Sequence, residues 1–230
     1  MNINSNAYTY TFATVMVVIV AVLLSGASLG LKSRQSANIT QEKKQSILAS
    51  IGIEKNRAES DLIFTQYVKQ SLTLSGGQVV SEDASAAFDI DMAKAVKSDN
   101  MERSVPLYVT EKDGETFYVV PLRGKGLWGP VWGYLALESD GNTVVGATFG
   151  HKSETPGLGA EITTPIFTDQ FPGKKISEAG VFQSISVVKA GTSAGNYMVD
   201  GISGGTITSN GVNDMLADCL APYAVYFKNI

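Results

Sequence analysis

No charged side chain stands among the first 31 residues of this 230-residue chain; every Lys, Arg, Asp and Glu lies beyond Leu31. Within that stretch Phe12 to Leu31 (FATVMVVIVAVLLSGASLGL) is apolar or small throughout. At about 1.5 Å per residue it reaches roughly 30 Å as a helix, the hydrocarbon thickness of a bilayer. A helix satisfies its own backbone groups, so the segment can cross one. A cleaved signal peptide is the competing reading, with small residues at Ser25-Gly26-Ala27-Ser28 near a cleavage point. Met1–Tyr10 lacks the basic n-region such a peptide uses, and the apolar run is long for its core. A retained anchor is expected, and no Cys directly follows it to take a lipid. Lys32, Arg34, Lys43 and Lys44 follow the span and no basic residue precedes it. By the positive-inside rule alone, the rest of the chain would face the cytoplasm.

The remaining residues are enough for one domain with a core of its own. The chain is mildly acidic, with net charge −4, and has no basic patch interleaved with aromatics, so nucleic acid is not an expected partner. One Cys (Cys219) excludes an internal disulfide and an all-cysteine iron–sulfur site. One His (His151) excludes a multi-histidine metal site. Redox work by this chain would need an organic cofactor.

Ser33–Asn38 reads as a short polar linker. A helix is then expected from Thr40 as N-cap, with Ile47, Leu48 and Ile51 on one face and Gly52 as its stop. Lys55–Gln70 reads as a second helix, and Ser71–Ser104 as mixed, with a helical piece in Ala84–Val96. From Val105 the pattern turns to strands. Leu107–Thr110 and Thr116–Val120 flank Lys112-Asp113-Gly114, and Trp128–Leu137 and Thr143–Phe149 flank Asp140-Gly141-Asn142, two hairpin signals. Val181–Val188 is expected as one further strand. Gly211–Leu220 is expected as a helix with Val212, Met215, Leu216, Cys219 and Leu220 in one buried stripe, ended or kinked by Pro222. Helices, then strands, then a helix give the α+β class: an antiparallel sheet with flanking helices.

Three segments stand out. Ser203-Gly204-Gly205-Thr206-Ile207-Thr208-Ser209 precedes the last helix, where unpaired N–H groups and glycine backbone can meet an anion. It is equally readable as a turn with Ser209 or Asn210 capping the helix. It is neither a Walker A loop nor a dinucleotide fingerprint. Glu154-Thr155-Pro156-Gly157-Leu158-Gly159 puts an apolar Leu158 among turn-formers, able to pack in a core or against an aromatic ligand. Arg123–Glu138 carries both tryptophans, Trp128 and Trp132, four apart on one strand face and expected in the core.

Together RGKGLWGPVWG (Arg123–Gly133), ETPGLGAEI (Glu154–Ile162) and DGISGGTITSNGV (Asp200–Val212) resemble a family of anchored FMN-binding domains. These are the NqrC components of sodium-translocating NADH:quinone oxidoreductases. The anchor and QEKKQSILASIGI (Gln41–Ile53) are similar to that family as well. The resemblance implies residues 1–31 as N-terminal segment and transmembrane helix, 32–38 as linker, and 39–230 as a single FMN-binding domain. It implies FMN bound covalently by a phosphoester to Thr206, the last residue of a Ser/Thr-Gly-Ala-Thr pattern in which Gly205 here replaces the Ala. Ser203, Gly204, Gly205 and Thr208 belong to that attachment segment, and Asp200 matches an acidic position upstream. Glu154, Thr155, Gly157 and Leu158 would line the flavin ring. Lys189 would be a cation favouring the reduced, anionic flavin, although a solvated strand-end lysine is an equal reading.

The implied activity is electron relay inside a complex that oxidises NADH, reduces ubiquinone or menaquinone and pumps sodium. The implied partners are the other subunits of that complex, a flavin transferase during maturation and the membrane. The family faces the periplasm, against the charge rule. No independent NADH activity, catalytic residue or metal is expected. Two other readings remain at this point: the related FMN-carrying RnfG component of an Rnf-type electron transport complex, or a cofactor-free, membrane-tethered scaffold domain. Co-purifying subunits would separate the first, and a colourless protein would mark the second.

Overall fold

The computed structural model describes residues 5–100 and 102–229. Residues 1–4 and 101, and Ile230, which the expected segments include, lie outside the described residues. The chain divides into two compact units, Met1–Lys43 and Lys44–Ile230.

The first unit is made of helix α1 (Asn6–Ser50), whose last residues, from Lys44, belong to the second. Its apolar stretch is exposed along its length and is long and apolar enough to cross a membrane. The expected break is not there: α1 runs unbroken through the expected linker 32–38 and past Thr40. Between Leu31 and Ser50 there is neither Pro nor Gly, so nothing removes a helical hydrogen bond and the polar residues simply continue the helix. The end at Ser50 is as the sequence indicates. Gly52 takes φ +72, its N–H donates to Ala49 O, and Ile53 N–H donates to Leu48 O. Those two bonds form a Schellman stop, with Ile53 and Leu48 in one apolar cluster.

The second unit is built on a six-stranded antiparallel sheet. In chain order come α2 (Arg57–Tyr67), β1 (Val68–Ser75), β2 (Gln78–Ser81), α3 (Ala84–Phe88), α4 (Met92–Ala95), β3 (Val105–Lys112), β4 (Glu115–Lys125), β5 (Pro130–Leu137) and β6 (Val144–His151). The sheet order is β2-β1-β3-β4-β5-β6. After it follow α5 (Pro165–Thr168), a pair of two-residue strands β7 (Ser177–Glu178) and β8 (Val181–Phe182), the parallel pair β9 (Ser186–Val188) and β10 (Met198–Asp200), and α6 (Thr206–Lys228). The class is α+β, as read from the sequence.

Both expected hairpins form. Asp113 and Gly114 take φ 54 and 84 between β3 and β4, the left-handed pair a two-residue turn needs. β1 and β2 lie in the stretch read as mixed; Gly76-Gly77, with φ 57 and 72, turns one into the other and carries the same hairpin signal. Val181–Val188 is two strands, because Ser184 takes φ 64 and the N–H groups of Gln183 and Ser184 both donate to Ile176 O.

Alternation along the central strands makes two cores. Leu107, Val120, Leu122, Leu135 and Leu137 face α6, whereas Tyr108, Val119, Tyr134 and Ala136 face Ile47, Leu48, Ile51 and Phe64. The stripe Val212, Met215, Leu216, Cys219 and Leu220 is buried against the first face as expected. α6 is longer than the sequence suggests at both ends: it starts at Thr206 and carries Pro222 inside it. Pro222 removes one helical N–H, but Tyr223 beyond it is fully buried and donates from its hydroxyl to Pro106 O at 2.7 Å, so the helix is held through.

α6 presses on β4 where glycines leave room. A Cβ on Gly124 would lie 2.6 Å from Met215 Cβ, and one on Gly211 would strike the Lys125 carbonyl oxygen. Gly211→Ala is therefore expected to lower stability by about 1–3 kcal/mol through overpacking, although Ala is the better helix former by ~1 kcal/mol. Denaturant unfolding of the full chain in detergent reads this out; an unchanged or raised midpoint would contradict the close crossing.

Candidate functional site

The first turn of α6 has no side-chain cap. Its N-cap is Gly205, whose N–H donates to Ile202 O, while Ser209 N–H donates to Gly205 O to open the helix. Gly204 takes φ +77, a conformation open to glycine without strain. The expected cap by Ser209 or Asn210 does not form. Ser209 is buried inside the helix, and its Oγ accepts from Ile202 N–H at 2.9 Å. The N–H groups at the helix start therefore lack a side-chain acceptor and carry the positive end of the helix dipole. Thr206, first residue of the helix, is exposed, as are Ser203 and Gly204; Thr208 is buried.

Against this turn sits the loop after β6. Thr155-Pro156-Gly157-Leu158 is a type II turn, with Gly157 at φ +76 and Leu158 N–H donating to Thr155 O. Gly157 N–H donates to Glu161 Oε1 at 2.8 Å, fixing the loop from inside. A Cβ on Gly204 would lie 2.8 Å from Leu158 Cδ2, and one on Gly205 3.3 Å from Gly159 N, so the two loops lie back to back.

Glu154 joins them. It is 4% exposed, and its Oε2 accepts from Thr208 Oγ1 at 2.5 Å. Its Oε1 accepts from Trp128 N–H at 2.8 Å. Its own N–H donates to His151 Nδ1 at 3.1 Å, the one part His151 takes here. Burial pushes the carboxyl up, but the hydrogen bonds from Thr208, Trp128 and Leu127 outweigh it and leave the pKa lowered. A lowered folded pKa stabilises the fold above the ordinary carboxylate range, and that stabilisation is lost as pH falls through the lowered value.

The third segment, around Trp128, differs from expectation. β5 starts at Pro130, and Gly126–Gly129 is a bend closed by Gly126 N–H donating to Gly129 O at 2.7 Å. Trp128 therefore shares no strand face with Trp132 and is 65% exposed rather than in the core. Trp132 stays in β5, half-buried beside the Arg123 guanidinium. Leu158 at 42% and Ile207 at 58% are exposed apolar side chains of the two adjoining loops.

The structure thus brings Glu154, Thr155, Gly157, Leu158, Ser203, Gly204, Gly205, Thr206 and Thr208 into one region. It turns the side chains of Glu154 and Thr208 inward onto each other. Trp128 is the residue that strand reasoning assigned to the core; the Gly126 and Gly129 flanking it are the signal that could have released it. Lys189 is exposed on the turn after β9, where its carbonyl accepts from Thr192 N–H and Thr192 Oγ1. Val188, just before it, accepts from Gly201 N–H at the base of the Thr206 loop. Asp200 holds that turn, accepting from Ser193 and Thr192 N–H groups, which keep its carboxyl below its ordinary value against the effect of burial. Among the described residues no group of three or more His, Cys, Asp and Glu could hold a metal ion.

Residues 126–221 match the model of the FMN-binding domain family. The C-type subunit of the Na+-translocating NADH-quinone reductase of Vibrio parahaemolyticus is 33% identical over 213 residues, covering 84% of this chain and 82% of its own. Among solved structures, the corresponding subunit of the reductase from Parabacteroides distasonis is 43% identical with a TM-score of 0.78, covering 87% of this chain and 98% of its own. Shewanella oneidensis NqrC is 27% identical with a TM-score of 0.68, covering 83% and 98%. FMN carries an anionic phosphate at one end and a planar apolar ring at the other. The uncapped helix start suits the first, and the exposed Trp128 and Leu158 suit the second. An apolar N-terminal helix followed by an FMN-binding α+β domain, with these relatives across most of its length, places the chain in the NqrC family of Na+-translocating NADH-quinone reductase subunits.

Proposed function

We propose that the chain is the membrane-anchored electron-relay subunit of a Na+-translocating NADH-quinone reductase, holding FMN covalently as a phosphoester on Thr206. The observation that carries this is the setting of Thr206. It is an exposed hydroxyl on the first residue of an uncapped 23-residue helix, beside the Leu158 loop.

Thr206 acts once, during maturation by a flavin transferase. Its O–H bond is exchanged for an O–P bond and the hydroxyl proton is lost. Ser203 and the glycines leave the approach to it open. The departure at Gly205 suits the packing here, since an Ala Cβ would lie 3.1 Å from Ile202 Cβ. Afterwards the N–H groups of the first turn of α6 offset the negative charge of the ester. Trp128, Thr155 and Leu158 offer the ring its apolar contact and shield it from water, with Glu154 and Thr208 supporting them from beneath. Lys189 is the cation available to favour a reduced, anionic ring. When bound, FMN supplies the electron-carrying chemistry, and the chain supplies placement and electrostatics. NADH oxidation, reduction of ubiquinone or menaquinone, and sodium movement belong to the assembled complex, whose other subunits are the partners. A cofactor-free scaffold would leave the exposed Trp128 and the uncapped helix without use, and the relatives named above are NqrC rather than RnfG proteins.

The domain is proposed to face the periplasm, where the transferase acts. The basic residues after the span oppose this, and partner subunits would have to hold the orientation.

Co-expression of the full chain with a flavin transferase in an exporting host tests the linkage. On a denaturing gel under ultraviolet light, the wild-type band should fluoresce and Thr206→Ala should be dark. Two dark bands beside a fluorescent known substrate would overturn the reading. For orientation, Ser36→Cys should react with a membrane-impermeant maleimide on intact cells. Native Cys219 stays silent, being buried with its thiol pushed up to about 11, chiefly by that burial. Labelling only after lysis would place the domain in the cytoplasm.

A further inference from the structure

We propose that Glu154 is a positioning residue of the flavin site. Its buried carboxylate ties the Trp128 bend to the first turn of α6 and so sets where the ring lies relative to Thr206. The inference rests on the covalent-flavin reading above and goes beyond it. It assigns to Glu154 the arrangement of the groups that meet the ring, not a contact with the ring.

The carboxylate sits in a slot that two glycines make. A Cβ on Gly126 would lie 2.7 Å from Oε1, and one on Gly159 2.6 Å from Oε2. Each oxygen serves a different loop, Trp128 N–H on one side and Thr208 Oγ1 on the other. Among the described residues no Lys or Arg forms an ion pair with Glu154. A buried anion held by neutral donors is costly unless those bonds are well made, and an apolar side chain would fill the slot without that cost. What an apolar side chain would not do is fix two loops in one register. Thr208 lies two residues past Thr206 in the same helical turn, so holding Thr208 holds the direction of Thr206. The Trp128 bend is also closed by Gly126 N–H to Gly129 O and by Ser153 Oγ donating to Trp128 O at 3.0 Å. Loss of Glu154 would therefore release the bend from α6 without opening it.

The test uses the full chain in detergent, co-expressed with a flavin transferase. Flavin emission of the folded protein is compared with that of the same sample after proteolysis. An indole stacked on a flavin quenches it by electron transfer in the excited state, so the wild type should be strongly quenched and Trp128→Ala should not. Glu154→Ala should keep its covalent flavin and raise the emission severalfold. Glu154→Gln retains an acceptor for Trp128 N–H and an amide facing the Thr208 hydroxyl, and should restore most of the quenching. Thr208→Val should move in the direction of Glu154→Ala. A quenched Glu154→Ala protein with only a lowered denaturation midpoint would overturn the proposal, leaving an ordinary buried carboxylate. If Glu154→Ala does not fold, Thr208→Val decides: raised emission supports the proposal and wild-type emission overturns it. A wild-type chain that takes up no covalent flavin would sink the Thr206 reading, and this one with it.

Discussion

A sheet that is apolar on both faces has to be covered twice, and the rest of the second unit follows from how that is done. The alternating residues of β3, β4 and β5 present leucines and valines to α6 on one side, and Tyr108, Val119 and Tyr134 to the last turns of α1 and to α2 on the other. On the α6 side the approach is close because Gly124 and Gly211 have no side chains at the crossing. Once α6 is seated there, its N-terminus is carried to the ends of β4 and β6, where the Trp128 bend and the Leu158 loop emerge. The site is a consequence of where the covering helix must begin.

What stands at that junction is a charge, not a hydrophobic plug. Glu154 accepts from Thr208 on α6 and from Trp128 on the bend, and its own N–H is held by His151. Hydrogen bonds to a charged group are worth about 1.5–3 kcal/mol each, enough to hold the loops together against the cost of desolvation. The result is a division of labour within one short loop: Glu154 looks inward and supports, while Leu158 looks outward and remains exposed. α6 divides the same way, with Thr206 outside and Thr208 inside.

Local chemistry made part of this legible in the sequence. Asp113-Gly114 and Asp140-Gly141-Asn142 marked hairpins because few other residues take those backbone angles, and Gly52 marked a helix end for the same reason. The apolar stripe from Val212 to Leu220 named the face of α6. The segments around Glu154 and Thr206 stood out as loops whose composition exceeds what a turn requires. The misreadings came where tertiary contacts overrule local signals. Asn210 and Gly211 suggested a helix start, yet Gly205 serves as N-cap and Ser209 bonds backward to Ile202, so α6 begins at Thr206 instead. The four-residue spacing of Trp128 and Trp132 presumed a strand that Gly126 and Gly129 interrupt. That Glu154 and Thr208 are partners could not be read at all, since 54 residues separate them and only the fold brings them together.

The central claim is a single covalent bond at a named oxygen. Trypsin should release Ala190–Lys228, which contains no other Lys or Arg and carries Ser203, Thr206 and Thr208 together. Tandem mass spectrometry of that peptide, taken from full chain made with a flavin transferase, locates the bond. A peptide heavier by FMN less one water, with fragments that place the addition on Thr206, is the result expected. An unmodified peptide, or an addition placed on Ser203 or Thr208, would contradict it.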